Sequence, residues 1–448
     1  MKRRRLHLGR LLLVNAVYAM AALVGWPVYL FLLATRRKYR NRFWQRWGLV
    51  PKFARRARQI GRPAAQAPHR FWVHAISVGE VEAARTFVPA LAAAYPGAEI
   101  VLSTTTMTGQ ERARNLFPDR PVFYFPLDLG PCVLLALWRV RPTAVIQVES
   151  EWWPNFFFLA NLLGVPTLAV NVRITERSCE RYRRIRRLMG AVFNTAAAIG
   201  VQAEVYRERL LSLGADEARL SVTGQMKHDG VTFADTVPGA EEMAREVGLS
   251  KGEQVFVAGS AGPGEEDVLA SAYREARRAF PRLRLVIVPR RPENFDAAAQ
   301  AVLASGLGVV RRSRSVTWEG PKLLPPVILG DTLGELMKWY ALADIVFVGR
   351  SLVPVGGSNP MEPGSLGKPL LWGPHMFNFP VESAELAEAG AARVVENDSD
   401  VAAALVDLLT HGERRRQMGE AARAAIRRMQ GATARNIDLV RHAIEIHS

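Results

Sequence analysis

The chain has 448 residues, 49% hydrophobic and 23% charged, which excludes disordered, collagen-like and low-complexity classes and leaves two sizeable domains plus something small. Two cysteines, Cys132 and Cys179, cannot build a disulfide framework or a Cys-ligated zinc site. The net charge of +17 sits at the front: residues 1–60 hold 15 Lys or Arg and no Asp or Glu, while the other 388 carry 44 basic against 42 acidic. A nucleic-acid enzyme spreads its basic stripe along a groove of the folded domain, so this distribution argues against nucleic acid and points to anionic lipid.

Leu11 to Ala34 is 24 residues without a charge, enough at about 1.5 Å per residue to cross a hydrocarbon core of about 30 Å. A membrane helix is expected here. Asn15, Pro27 and the amphipathic rings of Tyr18, Trp26 and Tyr29 keep a kinked or in-plane helix as the competitor. A cleaved signal peptide fits poorly, because Arg36, Arg37, Lys38, Arg40 and Arg42 follow the run where a small-residue cleavage site would stand. Both flanks are basic, and the heavier cluster follows the run, which favours a cytoplasmic body. Residues 43–60, with Phe43, Trp44, Trp47 and Phe53 among arginines, read as a collar on lipid head groups, against a plain solvated linker.

From residue 71 strands and helices alternate. FWVHAIS, EIVLSTTT, VFYFP, AVIQVE, TLAVNV, AAIGVQ and LSVTG read as strands, with helices at EVEAARTFVPALAAAY and TGQERARNLF. The pattern halts near Gly224, and QMKHDGVTFADTVPGA reads as a linker. A second series follows, with strands QVFVAGS, RLRLVIVPR, GVVRR, PVILGD, DIVFVG, PLLWGP and ARVVEN and helices from Glu265, Glu293 and Leu333; one or two amphipathic helices close the chain. Strands separated by helices imply parallel sheets with right-handed crossovers. The expected fold is α/β of the GT-B type, two Rossmann-like domains facing a cleft, with an N-terminal membrane helix. Its expected boundaries are 1–60 for anchor and collar, 65–225 and 240–430 for the two domains, and 431–448 for a C-terminal helix.

Such sheets take ligands outside the carboxyl ends of their strands, so the residues just past each strand are the candidates. After the first comes Ser77-Val78-Gly79-Glu80, where Glu80 either takes a proton from an incoming hydroxyl or completes a capping box with Ser77. In Val148 to Asn155, Glu149 and Glu151 alternate and point to opposite faces unless a turn intervenes. At least one is expected to face the cleft; the bland alternative pairs them with the stretch Arg173 to Arg187. In the second half, Gly259 to Glu265 follows a strand and offers backbone N–H groups to an anion. Arg290 and Arg291 offer guanidiniums to a phosphate. Gly356-Gly357-Ser358-Asn359-Pro360-Met361-Glu362 allows close backbone approach, with Asn359 capping a helix aimed at a phosphate and Glu362 suited to sugar hydroxyls. His74 and His375 read as structural, Met361 and Met376 as packing. With no HExxH, Cys/His cluster or DxD triplet, no metal and no cofactor are expected.

HAISVGEVEAA, STTTMTG, VESEWWPN, NVRITERS, GQMKHD, PRRPENF, GDTLGELMKWYALADIVFVGRSL and VGGSNPMEPGSLGKPLLWGPHMFNF resemble, in order and across roughly residues 10–430, the bacterial Kdo (3-deoxy-D-manno-octulosonic acid) transferases of lipopolysaccharide synthesis. The resemblance implies an inverting glycosyltransferase anchored in the bacterial inner membrane with its body on the cytoplasmic face. It implies CMP-Kdo as donor, the lipid A precursor lipid IVA as acceptor, and anionic membrane lipids as neighbours. It makes residues 65–225 the acceptor side and 240–430 the nucleotide-sugar side. Glu80 is then the base, Lys227 the Lys of the family's GxxKxD motif, and Glu149 and Glu151 further acceptor-side candidates. Ser260, Arg290, Gly356, Gly357, Asn359 and Glu362 match donor-binding positions. Gly262, Arg291 and Ser358 stand where the family has histidines, so a related transferase with another nucleotide-activated acid sugar is the second reading, and a non-catalytic lipid-binding relative the third.

Overall fold

Runs such as Phe71-Trp72-Val73, Ile100-Val101-Leu102 and Val145-Ile146 are buried on both faces, as strands of a parallel sheet covered by helices on each side must be. The computed structural model describes residues 43–53, 69–314 and 325–447, with Gly9, Val14, Asn15, Tyr18 and Met20. These form two units, residues 1–230 with 430–448 and residues 231–429. The expected membrane segment Leu11–Ala34 lies almost wholly outside the described residues. No helix among the described residues is long and apolar enough to cross a membrane.

The first unit has strands β1 Arg70–His74, β2 Glu99–Thr104, β3 Val122–Tyr124, β4 Ala144–Val148, β5 Thr167–Val172, β6 Ala198–Val201 and β7 Leu220–Val222. They pair in parallel in the order β3-β2-β1-β4-β5-β6-β7. Alternation along β1 sends Trp72 into one core, with Phe123, Phe156 and Phe157, and Phe71 into the other, with Phe87 and Ile100. The C-terminal helix Ala432–His447 adds Ile437, Val440 and Ile444 to that second core. Its start is held by Asp229, whose carboxylate accepts the Gly431 N–H at 2.6 Å and the Ala432 N–H at 3.3 Å. Part of the segment read as linker is therefore built into the fold: Met226 is fully buried, and the 3-10 turn Met226–Gly230 ends this unit's first stretch.

Residues 43–53, expected as part of the collar, are anchored on the first unit: Val50 is in its core, the Leu127 N–H donates to the Arg46 carbonyl at 2.7 Å, and the Phe53 N–H to the Arg139 carbonyl at 3.0 Å. The Arg46 guanidinium stacks 4.6 Å over the Tyr124 ring. These apolar and cationic groups find partners within the protein, although Trp44 stays exposed. Residues 54–60 lie outside the described residues. Asn15, the polar residue inside the apolar run, also meets the body, donating to Asn155 Oδ1 at 2.9 Å and accepting the Gly130 N–H at 3.1 Å.

The second unit repeats the plan with β8 Gln254–Ala261, β9 Leu283–Pro289, β10 Val309–Arg311, β11 Val327–Leu329, β12 Ile345–Val348, β13 Leu370–Trp372 and β14 Ala392–Val394. The parallel order is β10-β11-β9-β8-β12-β13-β14. In each sheet the strand order reverses at the centre, between β1 and β4 and between β8 and β12, and in the second sheet β10 also lies outside β11 at the edge. The crevice beyond the carboxyl ends at such a reversal is where doubly wound sheets hold ligands.

Candidate active site

At the first reversal, Ser77 caps the helix Val78–Ala94 and Glu80 sits three residues on. Glu80 Oε2 accepts the Ser77 N–H at 2.9 Å and the Ser77 hydroxyl, so the capping box forms. Oε1 of the same carboxylate has no hydrogen bond among the described residues. Beside it, β4 stops at Val148 and Glu149 turns left-handed, with φ +65°, so a turn does break the alternation of Glu149 and Glu151. Asn171, at the end of β5, is left-handed too at φ +57°; its Nδ2 approaches Glu149 Oε1 at 3.5 Å, and its Oδ1 accepts the Met226 N–H at 2.9 Å. Lys227, next in the chain, brings Nζ within 3.9 Å of Glu149 Oε1.

Burial pushes the Glu149 carboxyl above its ordinary range; Lys227 opposes this and Glu80 adds to it. Burial, then Glu80, likewise pushes Glu151 up. Glu80, Glu149 and Glu151 thus share one electrostatic neighbourhood with Lys227 as its cation. The alternative pairing with Arg173 to Arg187 forms no ion pair among the described residues: the ion partner of Glu149 is Lys227, and Arg173 acts on it only at longer range. Non-glycine residues held left-handed at strand ends cost free energy, and such strain clusters at functional sites.

At the second reversal, β8 runs on to Ala261, and Ser260 is buried and left-handed at φ +56°. Near it lies the buried Tyr340 hydroxyl, whose pKa burial raises most and Glu362 raises further, while Ser260 and Arg290 pull it down. Arg290, just past β9, donates its N–H to the Ala261 carbonyl at 3.1 Å and keeps an exposed guanidinium that acts on both Tyr340 and Glu362. Glu362 lies in the first turn of the short helix Met361–Ser365; its Oε1 accepts from Asn359 Nδ2 at 3.2 Å, while Asn359 Oδ1 accepts the Met361 N–H at 3.1 Å. Burial pushes the Glu362 carboxyl up, and Asn359 and Arg290 pull it down. Ser260, Arg290, Asn359 and Glu362 are therefore brought together, with Tyr340 between them.

Other donor-side expectations change in meaning. Gly356 and Gly357 have φ +99° and +77°, and Cβ atoms there would run into Asn378 and Met376, so the chain's own segment demands these glycines. The N–H groups expected to await an anion after β8 are already used. Fully buried Glu265 accepts the N–H of Gly262 at 2.8 Å, Arg350 at 2.6 Å, Ser351 at 2.8 Å and Leu352 at 3.0 Å, and the Gly264 N–H donates to Glu266 at 2.9 Å. This pins the loop after β12, with Arg350 left-handed at φ +63° and its side chain against Gly262. Arg291 pairs with Glu293 at 3.4 Å.

Sequence reasoning passed over Asn171, Glu265, Tyr340 and Arg350 as site-building residues. Asn171 had a signal, an amide inside the strand TLAVNV where strands disfavour Asn. Glu265, three residues past Gly262 at a helix start, had a weaker one of the capping-box kind. Tyr340 and Arg350 had none, since only the third dimension sets them beside Ser260 and Gly262.

Two seven-stranded parallel sheets, each with polar groups gathered at its reversal point, define a protein of the GT-B class. The fold is that of a solved glycosyltransferase from Rickettsia africae, with a TM-score of 0.54 over 85% of this chain and 98% of that one at 12% identity. Residues 41–230 match the family model of 3-deoxy-D-manno-octulosonic-acid transferase (kdotransferase). The chain is 32% identical over 411 residues, 91% of its length and 92% of the relative's, to a 3-deoxy-D-manno-octulosonic acid transferase of Haemophilus influenzae. It is 32% identical over 394 residues, 85% of its length and 90% of the relative's, to one of Bordetella pertussis. The chain belongs to the Kdo transferase family and is a glycosyltransferase.

Proposed function

We propose that the protein transfers Kdo from CMP-Kdo to a hydroxyl of the lipid A precursor lipid IVA with inversion, at the cytoplasmic face of the bacterial inner membrane. Glu80 is the base. As the acceptor oxygen bonds to the anomeric carbon, its proton passes to Glu80 and the sugar–phosphate bond breaks, leaving CMP. The observation that carries the base assignment is the divided use of the Glu80 carboxylate: Oε2 is tied to Ser77, which fixes the rotamer, and Oε1 is left for a hydroxyl. Glu149, Glu151 and Lys227 line the acceptor side around it. In the second unit, Arg290 takes negative charge developing on the leaving phosphate, and Asn359 and Glu362 hold nucleotide or sugar hydroxyls on the framework that Ser260, Gly356 and Gly357 shape.

The basic N-terminal segment keeps the enzyme on an anionic membrane where its lipid acceptor resides. A second reading, another nucleotide-activated acid sugar as donor, is favoured by Gly262, whose open space is taken by Arg350. Incubating purified full-length protein with CMP-Kdo and lipid IVA and reading product mass tests the proposal. One or more added Kdo masses are expected; an unchanged acceptor, with turnover of a different donor, selects the second reading.

A further inference from the structure

Seven arginines fall between residues 173 and 187, and four of them, Arg183, Arg184, Arg186 and Arg187, surround one open pocket of about 790 Å³. All four are exposed, and none has an ion-pair partner among the described residues. The sequence suggested Glu149 and Glu151 as their partners, yet Glu149 faces Lys227. Arg186 and Arg187 also open the helix Arg186–Phe193, whose first turn has no acidic residue, although the helix dipole disfavours cations there. The elbow therefore concentrates positive charge that no ion pair among the described residues neutralises.

The pocket is not purely charged. Its floor is made by Ala191 and Leu213, and Ile185 stands exposed between the arginine pairs. It is also joined to the acceptor-side carboxylates. Trp152, adjacent to Glu151, packs edge-on against Phe193 with centroids 4.7 Å apart, and Phe193 meets Tyr182, the residue before Arg183, at 6.5 Å. A short aromatic relay thus fixes the elbow relative to the Glu151 loop within the same unit.

We propose that this pocket binds a phosphate monoester on the lipid-linked sugar acceptor, with the guanidiniums on the phosphate oxygens and the apolar floor under the amphiphile. Four unpaired guanidiniums suit a doubly charged phosphate, which each can grip in bidentate fashion, better than they suit a neutral sugar. The inference rests on the acceptor reading above, and names the group by which that acceptor is held.

The test uses full-length protein and its variant carrying Arg183→Gln, Arg184→Gln, Arg186→Gln and Arg187→Gln, exposed changes that keep helix-forming residues in place. Binding is measured by co-sedimentation with phosphatidylcholine vesicles containing lipid IVA, the same lipid after phosphatase treatment, or phosphatidylglycerol at matched charge. The wild type should prefer the phosphorylated lipid, and the variant should lose affinity for it by roughly fivefold per arginine while binding the dephosphorylated lipid as the wild type does. KM for the phosphorylated acceptor should rise in step, with CMP affinity unchanged. Equal losses on phosphatidylglycerol would make the elbow a general membrane contact and overturn the proposal, as would no loss on any vesicle. If wild type binds the phosphorylated lipid through these arginines but transfers no Kdo, the donor reading fails and the phosphate site stands.

Discussion

The Ser77 backbone N–H and hydroxyl both donate to one oxygen of Glu80, Oε2, which leaves the other oxygen of that carboxylate without a partner among the described residues. The same residue can therefore cap a helix and serve as a base. Gln serves in a capping box almost as well as Glu but cannot accept a proton, so Glu80→Gln separates the roles. It should lower turnover about 10²- to 10⁴-fold with CMP affinity and thermal stability nearly unchanged. Near-normal turnover on a stable protein would confine Glu80 to capping and make Glu151 the next carboxylate to replace.

Arg290 keeps an exposed guanidinium beside Glu362 and Tyr340. Arg290→Ala should weaken CMP binding by about 1.5–3 kcal/mol, the loss of one charge-assisted hydrogen bond, in a calorimetric titration. CMP should bind more tightly than UDP; a preference for UDP would contradict the donor assignment.

Glu265 is an internal ligand for the loop after β12, accepting three consecutive N–H groups from Arg350, Ser351 and Leu352. Glu265→Ala strands buried donors and should cost about 3 kcal/mol or more in urea unfolding, whereas Arg350→Gly relieves a left-handed side chain and should gain up to about 1 kcal/mol. A neutral Glu265→Ala would show that the loop is held by other contacts.

His74 is fully buried, stacked 3.9 Å from Phe125 with Nδ1 on Ser103, and burial pulls its pKa from 6.5 down to about 3. The unfolded chain binds this proton between those values and the folded one does not. Its contribution to stability is therefore present above pH 6.5 and is lost as pH falls towards 3, at up to about 1.4 kcal/mol per pH unit. The difference in unfolding free energy between wild type and His74→Phe, followed from pH 7 to 4, should shrink in that direction; a flat difference would mean that His74 takes up its proton as readily in the fold as in the unfolded chain.

Deleting residues 1–42 removes 10 of the 15 basic residues of the first 60 but spares the clasp around Val50. The shortened protein should fold and bind anionic vesicles far less well, since each Lys or Arg near such a surface contributes about 1 kcal/mol. Deleting residues 1–60 strips Val50 from the core as well and should cost a further 1.5–3 kcal/mol or so of stability. Vesicle binding equal to that of the full chain would contradict a membrane role for the N-terminal segment.

Local rules made much of this architecture readable in advance. Each of the two sets of seven strands was announced by an apolar run between turn signals, the Ser77–Glu80 box by its spacing, and the charge asymmetry by counting. Those features depend on neighbours a few residues away. What only the tertiary structure decided depends on residues far apart in the chain. Glu149 joins Glu80 because parallel crossovers set β4 beside β1, and because Asn171 and Lys227 support a left-handed turn that Glu149 would not adopt by its own propensity. Ser260 meets Tyr340, and Glu265 meets Arg350, for the same reason: β8 and β12 are sheet neighbours across more than 80 residues of sequence. The fate of residues 43–53 followed from where apolar surface was left to cover. Periodicity showed which residues sought burial, and the assembled first unit supplied the space for Val50 and the Tyr124 ring for Arg46.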